Sequence, residues 1–252
     1  QIIPLDVSDP YNPVEAGRVE NPTALAIHAP VLHAGRLFAL ASGTLYAAQA
    51  SSGSWQPLAI APGQLVDYAL GEEHLFVLVD EGASRRVDAY VLDALDEAPL
   101  ATTSVTVDAH TVEAASQRLL VMGQDTLEVF HAGALYRDAT LEPLGALTLP
   151  GLVGARVLGE LLVVMEQGAG GMWLADLGPS TGAQLSWRRV ARVDREVMAA
   201  DRLLDLDAQG LIWRTDKGSC EGMRLELMTP ASLLPSGVLD DAQNKTSLTL
   251  TG

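Results

Sequence analysis

Lysine is almost missing from this chain. Only Lys217 and Lys245 occur, and the other basic residues are arginines. Against 32 acidic side chains the formal charge is −16. A surface this acidic repels a phosphate backbone, which argues against nucleic acid as the partner. It suits a cation or a basic partner, and solubility is the plainer reading. Cysteine is limited to Cys220, so no internal disulfide can form, and no sequence feature gives that thiol a histidine partner. Long apolar runs are lacking too: none approaches the ~18–20 residues of a membrane-spanning helix. No segment has the layout of a secretory signal. No amphipathic helix of two turns shows convincing caps; "RVDREVMAADRLLDL" (192–206) comes nearest.

What remains is short, turn-punctuated and repetitive. Five segments look alike: "RLFALAS" from Arg36, "HLFVLVD" from His74, "RLLVMGQ" from Arg118, "ELLVVME" from Glu160 and "RLLDLDA" from Arg202. Their starts lie 38, 44, 42 and 42 residues apart. Each is a near-continuous apolar run behind a polar first residue, as expected of a strand buried on both faces. A Val/Ala-rich segment precedes each: 24–28, 66–70, 111–115, 153–158 and 196–200. A third strand follows at 44–49, 87–93, 126–131, 171–176 and 211–215, and a fourth at 55–61, 99–107, 143–149, 187–193 and 223–228. Four short antiparallel strands per repeat of this length define a β-propeller blade. The repeat register overrules a helix at 192–206. Trp55, Trp173, Trp187 and Trp213 fall in or at the start of strands, where they serve inter-blade packing.

The two ends complete each other on this reading. Residues 2–8 match a third strand and 14–19 a fourth, whereas 237–244 match a first strand and 246–251 a second. The expected fold is therefore all-β, a six-bladed propeller with four antiparallel strands per blade. Its ring is closed by one blade shared between 1–19 and 237–252, and the whole forms a single domain of a longer chain. Such closure would leave no free sheet edge. The tail "LLPSGVLDDAQNKTSLTLTG" also resembles the start of an immunoglobulin-like domain of the IPT/TIG kind, which would leave the ring incomplete.

The opening "IIPLDVSDPYNPVEAGRV" resembles the LVIVD-type propeller repeat over residues 2–18, through an apolar strand, D-V-S-D-P, a proline and Val/Gly before the last strand. Asp93, Asp96 and Pro99 keep part of that pattern. The resemblance implies a secreted or cell-envelope bacterial module with a binding or scaffolding role. It transfers no catalytic residue, because the motif is turn chemistry. WD40 signatures are wanting, with no Trp-Asp dipeptide and no Gly-His pair before the strands.

In a propeller the loops from a fourth strand to the next first strand, and from a second to a third, share the face around the channel mouth. They carry Glu20, Asn21, Gln64, Asp67, Asp80, Glu81, Arg85, Arg86, Asp108, His110, Asp125, Gln167, Asp194, Arg195, Glu196 and Asp207. The ligand-binding candidates are Asp67, Asp108, His110, Asp194, Arg195 and Glu196. A carboxylate ring there would suit Ca²⁺ or polarise a sugar. No motif names a cofactor, however: D-x-D-x-D-G, H-E-x-x-H, C-x-x-C and G-x-S-x-G are all absent. "EQGAGG" (166–171) opens no helix and reads as a strand-to-strand turn rather than a phosphate loop. The expected function is a non-catalytic binding or scaffolding module that meets a protein or carbohydrate ligand, and other domains of its parent chain, through the loops of one face. No nucleic acid and no membrane insertion are expected. The alternative is a carbohydrate-active or metal-dependent hydrolase using acids at the channel mouth.

Overall fold

The second strand of each repeat organises the molecule. In the computed structural model the described residues are 28–49, 55–60, 63–115, 117–158, 161–169 and 171–177, together with the strands at 5–6, 14–15, 188–193, 196–197, 202–206, 212–216, 223–228, 238–239 and 245–250. His74–Asp80 and Arg118–Met122 are buried along nearly their whole length. A strand points successive side chains to opposite faces, so a strand buried throughout must have a neighbour on each side. Leu75, Val77 and Val79 pack with Phe38, Leu40 and Leu45, whereas Phe76 and Leu78 pack with Val112, Leu119 and Val121. Leu120 and Met122 then face Ala155, Leu162, Val164 and Trp173. The core is thus a series of layers between sheets, which is why the sequence shows uninterrupted apolar runs.

Five four-stranded antiparallel arrays follow one another in chain order. The first is His28–His33, Arg36–Ala41, Thr44–Gln49 and Trp55–Pro57. The second is Gln64–Leu70, His74–Asp80, Arg85–Val91 and Ala101–Val105, and the third is Thr111–Ala115, Arg118–Met122, Thr126–His131 and Glu142–Thr148. The fourth comprises Leu152–Leu158, Leu161–Glu166, Met172–Asp176 and Arg188–Val193. The fifth comprises Arg202–Leu206, Ile212–Asp216, Met223–Met228 and Lys245–Leu250. The first four arrays are up-and-down meanders, each leading on to the first strand of the next; in the fifth, Val238–Leu239 lies in the chain between the third and fourth strands. The loops after second and fourth strands therefore share one end, and those after first and third strands the other. From the second array to the fifth, the first strands of successive arrays lie side by side, most closely the second with the third and the fourth with the fifth.

Several elements depart from the sequence reading. The first array begins with His28–His33 rather than 24–28, of which only residue 28 is described. Its register is set by the two-residue turn Ala34–Gly35, where both residues have positive φ, 47° and 75°. This is the hairpin turn whose twist matches the flanking strands. Residues 196–197, expected to lead the fifth array, pair instead with Gly168–Ala169. The described residues of 192–206 are strands rather than helix, but Arg202–Leu206, expected as a second strand, stands first in its array, so Ile212–Asp216 and Met223–Met228 stand second and third. A short helical turn that the sequence did not announce, Ala132–Ala134 running into Leu135–Asp138, sits between the third and fourth strands of the third array and buries Leu135.

The shared closing blade needs a correction of pairing. Lys245–Leu250 adds to Met223–Met228 as the outer strand of the fifth array, and among the described residues it pairs with no N-terminal strand. Val238–Leu239 pairs parallel to Arg192–Val193 at the outer edge of the fourth. Leu5–Asp6 and Val14–Glu15 pair with each other as a separate ribbon. The physical reason is the hairpin-order rule: Met223–Met228 offers an open edge close in sequence, and a local edge is captured at less loop-closure cost than a distant one.

Trp173 behaves as the repeat predicts. It is 1% exposed within the layer between the third and fourth arrays, and its Nε1 donates to Glu166 Oε2 at 2.5 Å. Trp55 packs on Leu37 and Ala48. Trp187 and the side chain of Trp213 lie outside the described residues.

Candidate functional site

The first strands of the second, third and fourth arrays carry little charge, and that little is concentrated. "QLVDYAL", "TVEAA" and "LVGARVL" hold one inward charged residue each: Asp67, Glu113 and Arg156. All three line a cavity of about 1050 Å³ along the first strands, with Tyr68 and His110. A bulge at Val66 shifts the register between Leu65 and Asp67. Bulges re-aim the side chains that follow them, and here Asp67 Oδ2 reaches the next array to accept the Val112 N–H at 2.9 Å. Burial raises the Asp67 carboxyl above its ordinary value of 3.8, partly offset by that N–H and by the fields of Arg156 and His110. Arg156 is held by Glu113, 2.7 Å away. Tyr68 donates to the Phe38 carbonyl at 3.0 Å, and its burial with the Asp67 charge raises the phenol strongly.

Above this channel the loops of successive arrays are tied by side chains. Asp108 accepts the Thr106 hydroxyl at 2.6 Å and the Gln124 N–H at 2.9 Å, and these bonds hold its carboxyl below the usual range. Asp125 Oδ1 accepts the Gly151 N–H at 2.7 Å. Arg85 bonds the Ala109 carbonyl and pairs with Asp80 at 3.0 Å. Asp80 also accepts the Gly82 N–H at 2.6 Å, which is the first cause of its lowered carboxyl value. Charge-assisted bonds of this kind are the stronger class. His110 Nδ1 lies 2.6 Å from the Met122 carbonyl. A carbonyl only accepts, so Nδ1 carries the proton, and in the neutral ring Nε2 keeps its lone pair.

Of the six candidate residues, the structure brings Asp67 and His110 into one cavity, while Asp108 stands in the adjoining loop, bonded to Thr106 and Gln124. Asp194 and Arg195 lie outside the described residues, as does the side chain of Glu196. Sequence reasoning missed Glu113, Arg156 and Gln124. The first two had a signal: a lone charge inside an otherwise small and apolar first strand. Gln124 had none. Among the described residues no group of three His, Cys, Asp or Glu side chains is placed to hold a metal ion. No described helix is long and apolar enough to cross a membrane.

No family model matches the chain, and no curated protein matches it in sequence. Its likeness to solved structures is one of fold. A Chaetomium thermophilum Polycomb Repressive Complex 2 structure, humanized and inhibitor-bound, matches at 10% identity with a TM-score of 0.63, over 87% of this chain and 59% of that one. The WD40 domain of Toxoplasma gondii coronin matches at 14% identity and TM-score 0.55, over 85% and 57%. An S. cerevisiae assembly of Dbp5 with Nup159, Gle1, IP6 and ADP matches at 11% and 0.50, over 89% and 64%. The chain thus spans under two thirds of the length of these structures. Successive four-stranded meanders and side-by-side first strands define the fold as a β-propeller. The likeness does not extend to the WD dipeptide, which this sequence lacks.

Proposed function

We propose that the chain is a non-catalytic propeller module that holds a protein partner on the loop end, around the mouth between the second, third and fourth arrays. The observation that carries this reading is the bracing of that end. Asp108, Asp125 and Arg85 each tie one loop to backbone of a neighbouring loop. A surface ordered before binding loses less conformational freedom when a partner docks. The same bonds weaken the hydrolase alternative at Asp67, Asp108 and Asp125, each of which is held in part by a backbone N–H or a hydroxyl. Structural neighbours drawn from multiprotein assemblies accord with this use of the fold, although fold alone does not give function. The proposal includes a six-bladed ring in which the Leu5–Asp6/Val14–Glu15 ribbon belongs to the sixth blade. It also includes the extracytoplasmic setting that the LVIVD-like turn implies.

The test places a photo-crosslinking residue at Gln124 on the loop end or at Glu97 on the other end, in cells that make the protein. A discrete adduct at Gln124 only, whose purified component binds the wild type and is lost with Gln124→Arg, supports the reading. Equal or absent adducts at both positions, with glycoside or ester turnover that disappears in Asp67→Asn, overturn it.

A further inference from the structure

Between the third and fourth arrays the loop end opens into a cleft of about 400 Å³, lined among others by His110, Met122, Gln124, Asp125, Leu152 and Gln167. We propose that this cleft seats a lysine or arginine side chain of the partner, so that the ligand is a basic peptide. The inference rests on the interaction reading above and names the partner's chemistry.

Three observations converge. Met122, Leu152 and Val153 line the cleft and give an aliphatic stem an apolar wall beside the polar groups. A basic side chain buries its methylenes against such a wall and keeps its charged head among polar groups. The polar groups at the opening are acceptors. Gly151 takes one site on the Asp125 carboxylate, which has about four. The Gln124 and Gln167 side chains are exposed and offer amide oxygens. His110 keeps an acceptor nitrogen, because its other nitrogen donates to Met122.

The third observation is charge. Arg156 also lines the cleft and would oppose a cation, but Glu113 at 2.7 Å neutralises it. Asp108 and Asp125 then leave the rim negative, within a chain of formal charge −16. An acidic peptide would meet this field as a like charge, whereas a basic one is drawn to it. The cleft lies between two arrays and is distinct from the longer cavity along the first strands, although His110, Thr111 and Arg156 touch both.

The experiment measures binding of short fluorescein-labelled peptides to the intact chain by polarisation at about 0.1 M salt, where the Debye length is about 10 Å. The peptides carry a central Arg or Lys between basic flanks, or the same flanks with a central Ala, or a Glu-rich sequence. The expected order is Arg and Lys above Ala, with no binding of the acidic peptide. Gln124→Arg and Gln167→Lys put a cation in the opening and should each weaken the basic peptides by about tenfold, a difference of about 1.4 kcal/mol. Glu97→Lys makes a charge change of the same sign at the other end and should leave affinity within about twofold. Circular dichroism melts check that the variants stay folded. Equal weakening by all three variants would reduce the effect to net charge and overturn the cleft. Failure of every basic peptide to bind would overturn the basic class. If a Gln124 crosslink to a partner persists while the peptides fail, only this inference falls and the interaction reading stands.

Discussion

Replacing Asp67 separates a structural brace from a chemical group. Asp67 Oδ2 accepts the Val112 N–H across two arrays, and burial is the largest influence on its carboxyl. Asp67→Asn keeps an oxygen for that N–H and removes a charge that burial disfavours. It should be neutral or stabilising by up to about 1 kcal/mol at neutral pH. Asp67→Ala leaves the Val112 N–H without its acceptor in a buried strand and should cost about 1–3 kcal/mol. The pH dependence has a fixed sign. The folded-state value is raised above 3.8, so the stability linked to Asp67 is complete below 3.8 and is lost as pH rises through the folded value. Urea melts from about pH 3 upward should therefore show wild type falling behind Asp67→Asn across that window and running parallel above it. The reasoning fails if Asp67→Asn is as damaging as Asp67→Ala, because the charge itself would then hold the arrays together.

Trp173→Ala empties the layer between the third and fourth arrays, where the indole is 1% exposed; the loss should be about 3–5 kcal/mol by urea melt, and a value under about 1 kcal/mol would mean that the layer is not a core. A Cβ at Gly123 would come within 2.8–2.9 Å of both Asp108 oxygens. Gly123→Ala should therefore release the Gln124 N–H, with amide hydrogen exchange at Gln124 rising and Tm falling by several degrees. His74 is 6% exposed, edge-on to Tyr136 at 4.8 Å, and burial lowers its value below 6.5. Its neutral form stabilises the fold above 6.5, and this contribution is lost as pH falls from there through the folded value. His74→Phe should flatten that part of the stability profile, and an unchanged profile would refute the burial argument.

The repeat was legible because its cause is one-dimensional. A strand that must satisfy a layer on each face becomes an apolar run, and the runs at Leu75–Val79 and Leu119–Met122 announce the arrays directly. First strands were harder. His28–His33 begins "HAPVLH", where Val31 and Leu32 are 38% and 54% exposed, so the hydrophobic signal that marks other strands is weak. The tail was misassigned because matching strand patterns says what a segment is, not which edge it meets; the alternation in Lys245–Leu250 suits any open edge. The site was legible only in part. Asp67 and Asp108 stood out as loop acids, yet their partners lie 45 and 16 residues away. No local spacing carries such a bond.

What the braces consume decides what the rim can offer. Asp67, Asp108 and Asp125 each spend part of their bonding capacity on backbone of an adjacent strand or loop, and that expense fixes it. Asp108, held by a hydroxyl and an N–H, is biased toward its charged form, which suits it poorly to act as a general acid. The unspent groups are of a different kind: second carboxylate sites, two exposed glutamine amides and one imidazole nitrogen beside an apolar wall. Such a set discriminates by charge and length without making or breaking bonds. Acids serve both the bracing and the field, whereas arginines such as Arg85, Arg86 and Arg156 are confined to ion pairs that hold strands and loops in place. A flexible, strongly hydrated lysine suits that task less well than a planar guanidinium. Conversion of Arg85 to Lys should therefore loosen the Ala109 loop, read as faster amide exchange there, while Arg137→Lys, exposed on the short helix and paired only with its neighbour Asp138, should change nothing measurable.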